Sequence, residues 1–166
     1  LLERAAGADG KISQSRRGNA STKRQEHLVV SIDLRNKVAI VTGAAQNIGR
    51  AISIELARAG TRVVIADIQA AKAQHVAREI QRLGTQALAV LTDIRDQSQV
   101  IAMVEQAAKA FGRIDILVNN AAKTEPRTPL ETLTTQQWDE FQEVGLRGAF
   151  YCAHTVFPFM RRQGKG

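Results

Sequence analysis

The sequence predicts an α/β fold, a doubly wound parallel sheet that is incomplete at the C-terminus. Two observations predict it. From Asn36 onward, four short unbroken apolar runs are separated by three stretches whose apolar residues recur at helical spacing. Unbroken runs belong to strands buried on both faces, so helices must cover both sides of the sheet. The connections are also short and punctuated by Gly, which suits right-handed crossovers between parallel neighbours. Hydrophobic residues at 44% and charged residues at 23% are the proportions of an ordinary globular chain, so composition allows a real core.

Each element follows in order. Val38–Thr42 reads as a buried strand, and Ile48, Ala51, Ile52, Leu56 and Ala59 give a helix ended by Gly60. Val63–Ala66 is the second strand. Ala73, Val76, Ala77, Ile80 and Leu83 form the second helical stripe, ended by Gly84. Ala87–Leu91 is the third strand, followed by a stripe of Val100, Met103, Val104, Ala107, Ala108 and Phe111 that Gly112 ends. Ile114–Val118 is the fourth strand. After a loop through Pro126 and Pro129, Thr134-Thr-Gln-Gln137 has the form of a capping box. One long helix then carries Trp138, Phe141, Ala149, Cys152, Val156 and Phe159 along one side, with Trp138 and Phe141 expected to anchor it. Pro158 is expected to kink it or loosen its last turns.

Residues 1–33 read as a flexible basic extension, rich in Gly, Ser, Gln, Asn and Arg. Acidic Glu3, Asp9 and Glu26 speak against a transit peptide, and the start at Leu predicts a longer reading frame. Net charge is +7, of which residues 1–36 hold seven basic and four acidic side chains. The remaining basic residues are scattered over helix surfaces without interleaved aromatics, which argues against a nucleic-acid footprint. No apolar run reaches the roughly 20 residues that span a bilayer. Cys152 stands alone, so neither an internal disulfide nor a cysteine metal cluster is expected, and it reads as a packed thiol. His27, His75 and His154 have no partners at ligand spacing, so no metal site is assigned.

The chemistry concentrates in Thr42-Gly43-Ala-Ala-Gln-Asn47-Ile48-Gly49. Gly43 ends a strand, where a residue without Cβ permits a tight turn and close approach of a ligand. Gly49 lies in the first helical turn, where a side chain would obstruct a pyrophosphate or the strand–helix contact. Asn47 tolerates the left-handed region between them. The turn sets a helix N-terminus where a phosphate can sit. Asp67 ends the second strand, where a carboxylate meets ribose hydroxyls and repels a 2′-phosphate, favouring NAD over NADP. A plain helix-capping role for Asp67 is the alternative, and Arg50 or Arg62 could reach a 2′-phosphate. Asp93-Ile94 and Asn119-Asn120-Ala121 end the third and fourth strands on the same edge.

Those residues, with Asp115-Ile-Leu-Val-Asn119-Asn-Ala-Ala122, resemble the short-chain dehydrogenase/reductase family over about residues 34–166. The resemblance implies a Rossmann fold and NAD(P)-dependent hydride transfer between nicotinamide and an alcohol or carbonyl. It implies that Gly43, Asn47, Ile48 and Gly49 cradle the pyrophosphate, that Asp67 holds the adenosine ribose, and that Asp93 and Ile94 flank the adenine. Asn119 and Ala121 would line the cofactor crevice. The family usually has Gly at positions 47 and 122, where this chain has Asn and Ala. Its catalytic Asn aligns with Gly145 in Gly145-Leu-Arg-Gly148-Ala-Phe150. Its Ser, and its Tyr and Lys four apart, lie on and after a fifth strand, before which residues 34–166 stop. No catalytic residue is therefore assigned, and the chain is expected to be the cofactor-binding part of a cytoplasmic enzyme. Its partners would be a small alcohol or carbonyl substrate and, through the long helix, further copies in a dimer or tetramer, with no nucleic acid or membrane. The alternatives are a non-catalytic dinucleotide-binding sensor of the same fold and a nucleic-acid binder using the basic extension.

Overall fold

A computed structural model describes residues 33–123 and 128–166. The expected extension lies outside the described residues, apart from Asp33. Four parallel strands form one sheet: β1 (Val38–Thr42), β2 (Arg62–Asp67), β3 (Ala87–Leu91) and β4 (Ile116–Val118), in the order β3-β2-β1-β4. Helices α1 (Asn47–Arg58), α2 (Ala70–Arg82) and α3 (Gln97–Phe111) join them. A 3-10 turn, Leu130–Thr132, leads to α4 (Thr135–Gln142), a π-helical turn (Glu143–Gly148) and α5 (Ala149–Gln163).

The apolar runs are unbroken because both faces of the sheet are covered. Along β1 and β2, Ile40, Val64 and Ala66 face a cluster with Val100, Met103, Val104, Cys152 and Val156 from α3 and α5. Their neighbours Val41, Val63 and Ile65 face the opposite cluster, with Ile54, Ala57, Val76 and Ile80 from α1 and α2. The period of two along each strand thus divides one apolar run between two cores. The Cys152 thiol is buried in the first of these, and burial pushes its pKa up to about 11.

Register places the strand ends together. Thr42 pairs with Ala66, Asp67 with Leu91, and Val41 with Val118. The carboxyl ends of all four strands therefore share one edge. β4 is shorter than the apolar run Ile114–Val118 predicts. At its start Asp115 takes over, its N–H donating to Val38 O (2.9 Å) and its carboxylate accepting the Val38 N–H (3.0 Å). Arg113 and Lys37 pair with that carboxylate from the surface. Ile114 is held by the Gln163 side chain, which accepts its N–H (2.9 Å) and donates to its carbonyl (2.7 Å). That amide fastens the end of α5 to the sheet.

Two expectations for the C-terminal helix need correction. It is two helices with a π-helical turn between them, not one. Gly145 and Gly148 both lie in that turn, where weak helix propensity and i→i+5 bonding loosen the backbone. The wider turn shifts the helical phase, so Trp138 is exposed and does not anchor α4, while Cys152 and Val156 are buried as expected. α5 carries Pro158 within it and runs to Gln163, where the Gln163 clamp and a left-handed C-cap at Gly164 (φ 69°) hold its last turn. The capping box at α4 forms as read, with Thr134 Oγ1 accepting the Gln137 N–H (3.2 Å). Leu83, expected on the buried stripe of α2, is the helix C-cap and is exposed.

Candidate cofactor site

A cleft of about 550 Å³ opens at the shared edge of the strands. Its floor is the turn from β1 to α1. Gly43 has φ +62°, and a Cβ there would stand 2.8 Å from Ala121 Cα. Asn47 takes the left-handed conformation with φ +48°. A Cβ on Gly49 would overlap Gly43 O and stand 2.5 Å from Asn120 Nδ2 and 2.9 Å from Ala44 Cα. Its bareness therefore serves the closure of the protein's own turn against the β4 end, rather than opening room for a ligand. The N-terminus of α1 has no side-chain cap and no acidic residue in its first turn. Early amide N–H groups with no intrahelical partner there favour an anion.

The Asp67 carboxylate stands on the cleft wall and is 6% exposed. Oδ2 accepts the Ala45 N–H (2.9 Å) and Oδ1 the Gln69 N–H (2.9 Å). The helix cap itself is Gln69, so Asp67 ties two loops together instead of capping α2. Each oxygen retains acceptor capacity toward the cleft. Both Arg side chains that could recruit a 2′-phosphate are engaged elsewhere. Arg50 forks onto Glu79 (3.0 and 2.5 Å). Arg62 begins β2 at the opposite edge of the sheet and lies over the Phe111 ring, 5.5 Å from its centroid.

Gly43, Asn47, Ile48, Gly49, Asp67, Asp93, Ile94 and Ala121 all line the cleft. Ile48 is exposed, whereas Ile94 is largely buried in the core and touches the cleft from below. Asn119 is not among the lining residues. Its side chain donates to Ala149 O (3.4 Å), joining the end of β4 to the start of α5. Asn120 lines the cleft instead, and its Nδ2 donates to Thr42 O (2.9 Å) and Gly43 O (3.1 Å). Thr42 Oγ1 in turn accepts the N–H groups of Asn120 and Ala121, both at 3.1 Å. This Thr42–Asn120 lock fixes the floor turn to β4. The sequence signal for it is a hydroxyl on a fully buried strand end, opposite a doubled Asn.

Residues that motif reading did not single out complete the walls: Gln46, Ile68, Thr92, Arg95 and Lys123. Arg95 holds the Asp93 carboxylate below the usual carboxylate range, chiefly through its side-chain hydrogen bonds. Beneath the third strand end, a Cβ on Gly148 would fall 2.6 Å from Ile94 Cδ1, so the π-helical turn packs directly on the cleft floor. Gly145, in the same turn, faces open space. Among the described residues, no group of three or more His, Cys, Asp or Glu forms a metal site, and no helix is long and apolar enough to cross a membrane.

Comparison with known proteins agrees with this geometry. A model of the short chain dehydrogenase family matches residues 37–166. The cis-4-hydroxycyclohexanecarboxylate dehydrogenase of Sinomonas cyclohexanicum is 41% identical over 130 residues, which are 78% of this chain and 52% of that protein. A 3-ketoacyl-ACP reductase from Sinorhizobium meliloti superposes with a TM-score of 0.74 at 36% identity, covering 78% of this chain and 51% of its own. A hydroxysteroid dehydrogenase from Escherichia coli gives 0.73 at 36% identity, covering 81% and 53%. The chain spans about half the length of the relatives it matches, and over that span it belongs to the short-chain dehydrogenase family.

Proposed function

We propose that this chain forms the dinucleotide-binding half of an NAD-dependent oxidoreductase acting on a small alcohol or carbonyl. The observation that carries the reading is the meeting of the uncapped α1 N-terminus and the Asp67 carboxylate in one cleft at the carboxyl edge of the sheet. In this reading the early amides of α1 bind the pyrophosphate, and Asp67 accepts hydrogen bonds from the adenosine ribose while its charge repels a 2′-phosphate. The Arg50–Glu79 pair supports NAD over NADP, because the nearby guanidinium is already neutralised. The bound cofactor supplies or accepts the hydride. This chain's residues bind and orient it, and none of them is assigned the proton transfer.

Titration with NADH and NADPH tests the reading, with NADH expected to bind at least about tenfold more tightly. Equal or tighter binding of NADPH overturns the role of Asp67, and failure of both overturns the site. Turnover is tested on the longest reading frame that contains this chain, against a panel of small alcohols and carbonyls. Self-association belongs to the same proposal. Leu146, Phe150 and Phe157 are exposed at helical spacing across the π-helical turn and α5, an apolar stripe suited to a second copy.

A further inference from the structure

The exposed stripe that runs from the π-helical turn along α5 is symmetric about one point. Leu146, Phe150, His154, Phe157 and Arg161 are all exposed and recur at steps of three and four residues, so they share one side of the helix. Phe150 and Phe157 lie equally far from the midpoint between Ala153 and His154, and so do Leu146 and Arg161. Such a stripe complements itself when two copies meet antiparallel across a two-fold axis. Each Phe150 then packs on Phe157 of the second copy, and each Leu146 meets the aliphatic stem of its Arg161.

Charge selects the same direction. Asp139, Glu140 and Glu143 precede the stripe, no acidic residue follows Glu143, and Arg161, Arg162 and Lys165 lie at the far end. Antiparallel packing sets the acidic end of one copy beside the basic end of the other and opposes the two helix dipoles, whereas parallel packing sets like beside like.

His154 stands at the centre of this arrangement. Its ring lies 5.5 Å from that of Phe150, tilted by 33°, so in the neutral form it belongs to the apolar surface. The elements packed against α5 are α3, β4 and the π-helical turn, and α3 and β4 meet its opposite face at Cys152 and Val156. Their charged groups are Glu105 and Lys109 on α3 and Glu143 and Arg147 on the turn, and among the described residues none makes an ion pair or hydrogen bond to His154. Along the stripe its charged neighbours are Arg147 and Arg161, seven residues before and after it, both cations. At the axis the two imidazoles meet, each beside the small Ala153 of the other copy. Neutral imidazoles carry one donor and one acceptor, so a pair can share an N–H···N bond. Two imidazolium rings have only donors, and they repel.

We propose that this chain pairs with a second copy antiparallel through α5, and that His154 at the axis makes the contact sensitive to pH. The proposal rests on the self-association reading of the stripe and adds its register and its regulation. The paired form excludes protons that the free chain binds. Assembly is therefore full above the histidine range and is lost as pH falls through it. One excluded proton per pair weakens assembly by up to about tenfold per pH unit, and two by up to about a hundredfold.

Sedimentation equilibrium of the full chain at about pH 7.5 and about pH 5.5, on either side of the histidine range, tests this. Wild type is expected to associate roughly ten- to hundredfold more weakly at the lower pH. His154→Gln and His154→Phe are expected to associate equally at both, while His75→Gln, on α2, behaves as wild type. Register is read separately. Phe150→Lys and Phe157→Glu, each weakened alone, are expected to associate when mixed, because antiparallel pairing opposes the introduced charges and leaves the other Phe pair intact. Urea unfolding of each variant shows that the fold is intact. Association unchanged by pH, or a pH dependence that survives His154→Gln, overturns the role of His154 alone. No recovery in the mixture overturns the antiparallel register. A wild-type chain that stays monomeric at both pH values overturns the self-association reading and this proposal with it.

Discussion

Gly49→Ala and Gly145→Ala are the same substitution inside helical turns, and the structure gives them opposite signs. Alanine is favoured over glycine in a helix by about 1 kcal/mol, so both variants begin with that gain. At Gly145 the new Cβ meets nothing within 4 Å, and the gain stands. At Gly49 the Cβ overlaps Gly43 O and presses on Asn120 Nδ2 and Ala44 Cα. Two of these atoms are backbone in a turn fixed by the Thr42–Asn120 lock, so little can yield. Overpacking costs about 1–3 kcal/mol. Displacing the Asn120 amide from Thr42 O and Gly43 O removes two hydrogen bonds at about 1 kcal/mol each. Against the helix gain, the net loss is about 2–4 kcal/mol, or roughly 6–15 °C in Tm for a domain of this size. Urea and thermal unfolding of both variants measure it, and NADH titration should show Gly49→Ala binding poorly because its turn is displaced. A Gly49→Ala protein as stable as wild type would refute this role for the glycine.

Three further outcomes are expected. Asp115→Ala orphans the buried Val38 N–H and two cationic partners, and should lose about 1–3 kcal/mol at neutral pH. Burial works to raise the pKa of Asp115, but hydrogen bonds from Arg113 and Val38 outweigh it and leave the carboxyl below its ordinary value of 3.8. The stabilisation it gives is therefore full above that value and fades as pH falls through the lower folded pKa, so the Tm gap between variant and wild type should shrink in acid. Gln163→Ala releases both backbone groups of Ile114 and should cost about 1–2 kcal/mol in urea unfolding, with faster hydrogen exchange at Ile114. Phe150→Glu with Phe157→Glu places charge on the exposed stripe of α5, and light scattering should show the assembly reduced toward monomer.

The parallel sheet covered on both faces is legible in the sequence because the strand runs are apolar without alternation, a pattern that half-exposed strands do not produce. Asp67 is legible because it closes a strand at the ligand-binding edge. The roles of Asn119 and Asn120 are not, since two adjacent Asn residues differ only in which way each points. The lock to Thr42 brings Asn120 across to the end of β1, a contact 78 residues apart that local pattern cannot contain. The exposure of Trp138 is hidden for a related reason. A stripe extrapolated at 3.6 residues per turn carries its phase straight through Glu143–Gly148, and the π-helical turn there resets it.

The Thr42–Asn120 lock also sets the order in which the molecule can be finished. β1 is made early and obtains β2 some 24 residues later, where Val38 pairs with Arg62. Its other edge waits for β4 and for Asn120, 78 residues on from Thr42. At a synthesis rate of about 5–20 residues per second, that edge of the central strand stays open for roughly 4–16 s on the ribosome. Of these four strands β1 is the first made, yet its second edge is paired only when β4 arrives, and for those seconds its unpaired N–H and C=O groups stand as a template for wrong pairing.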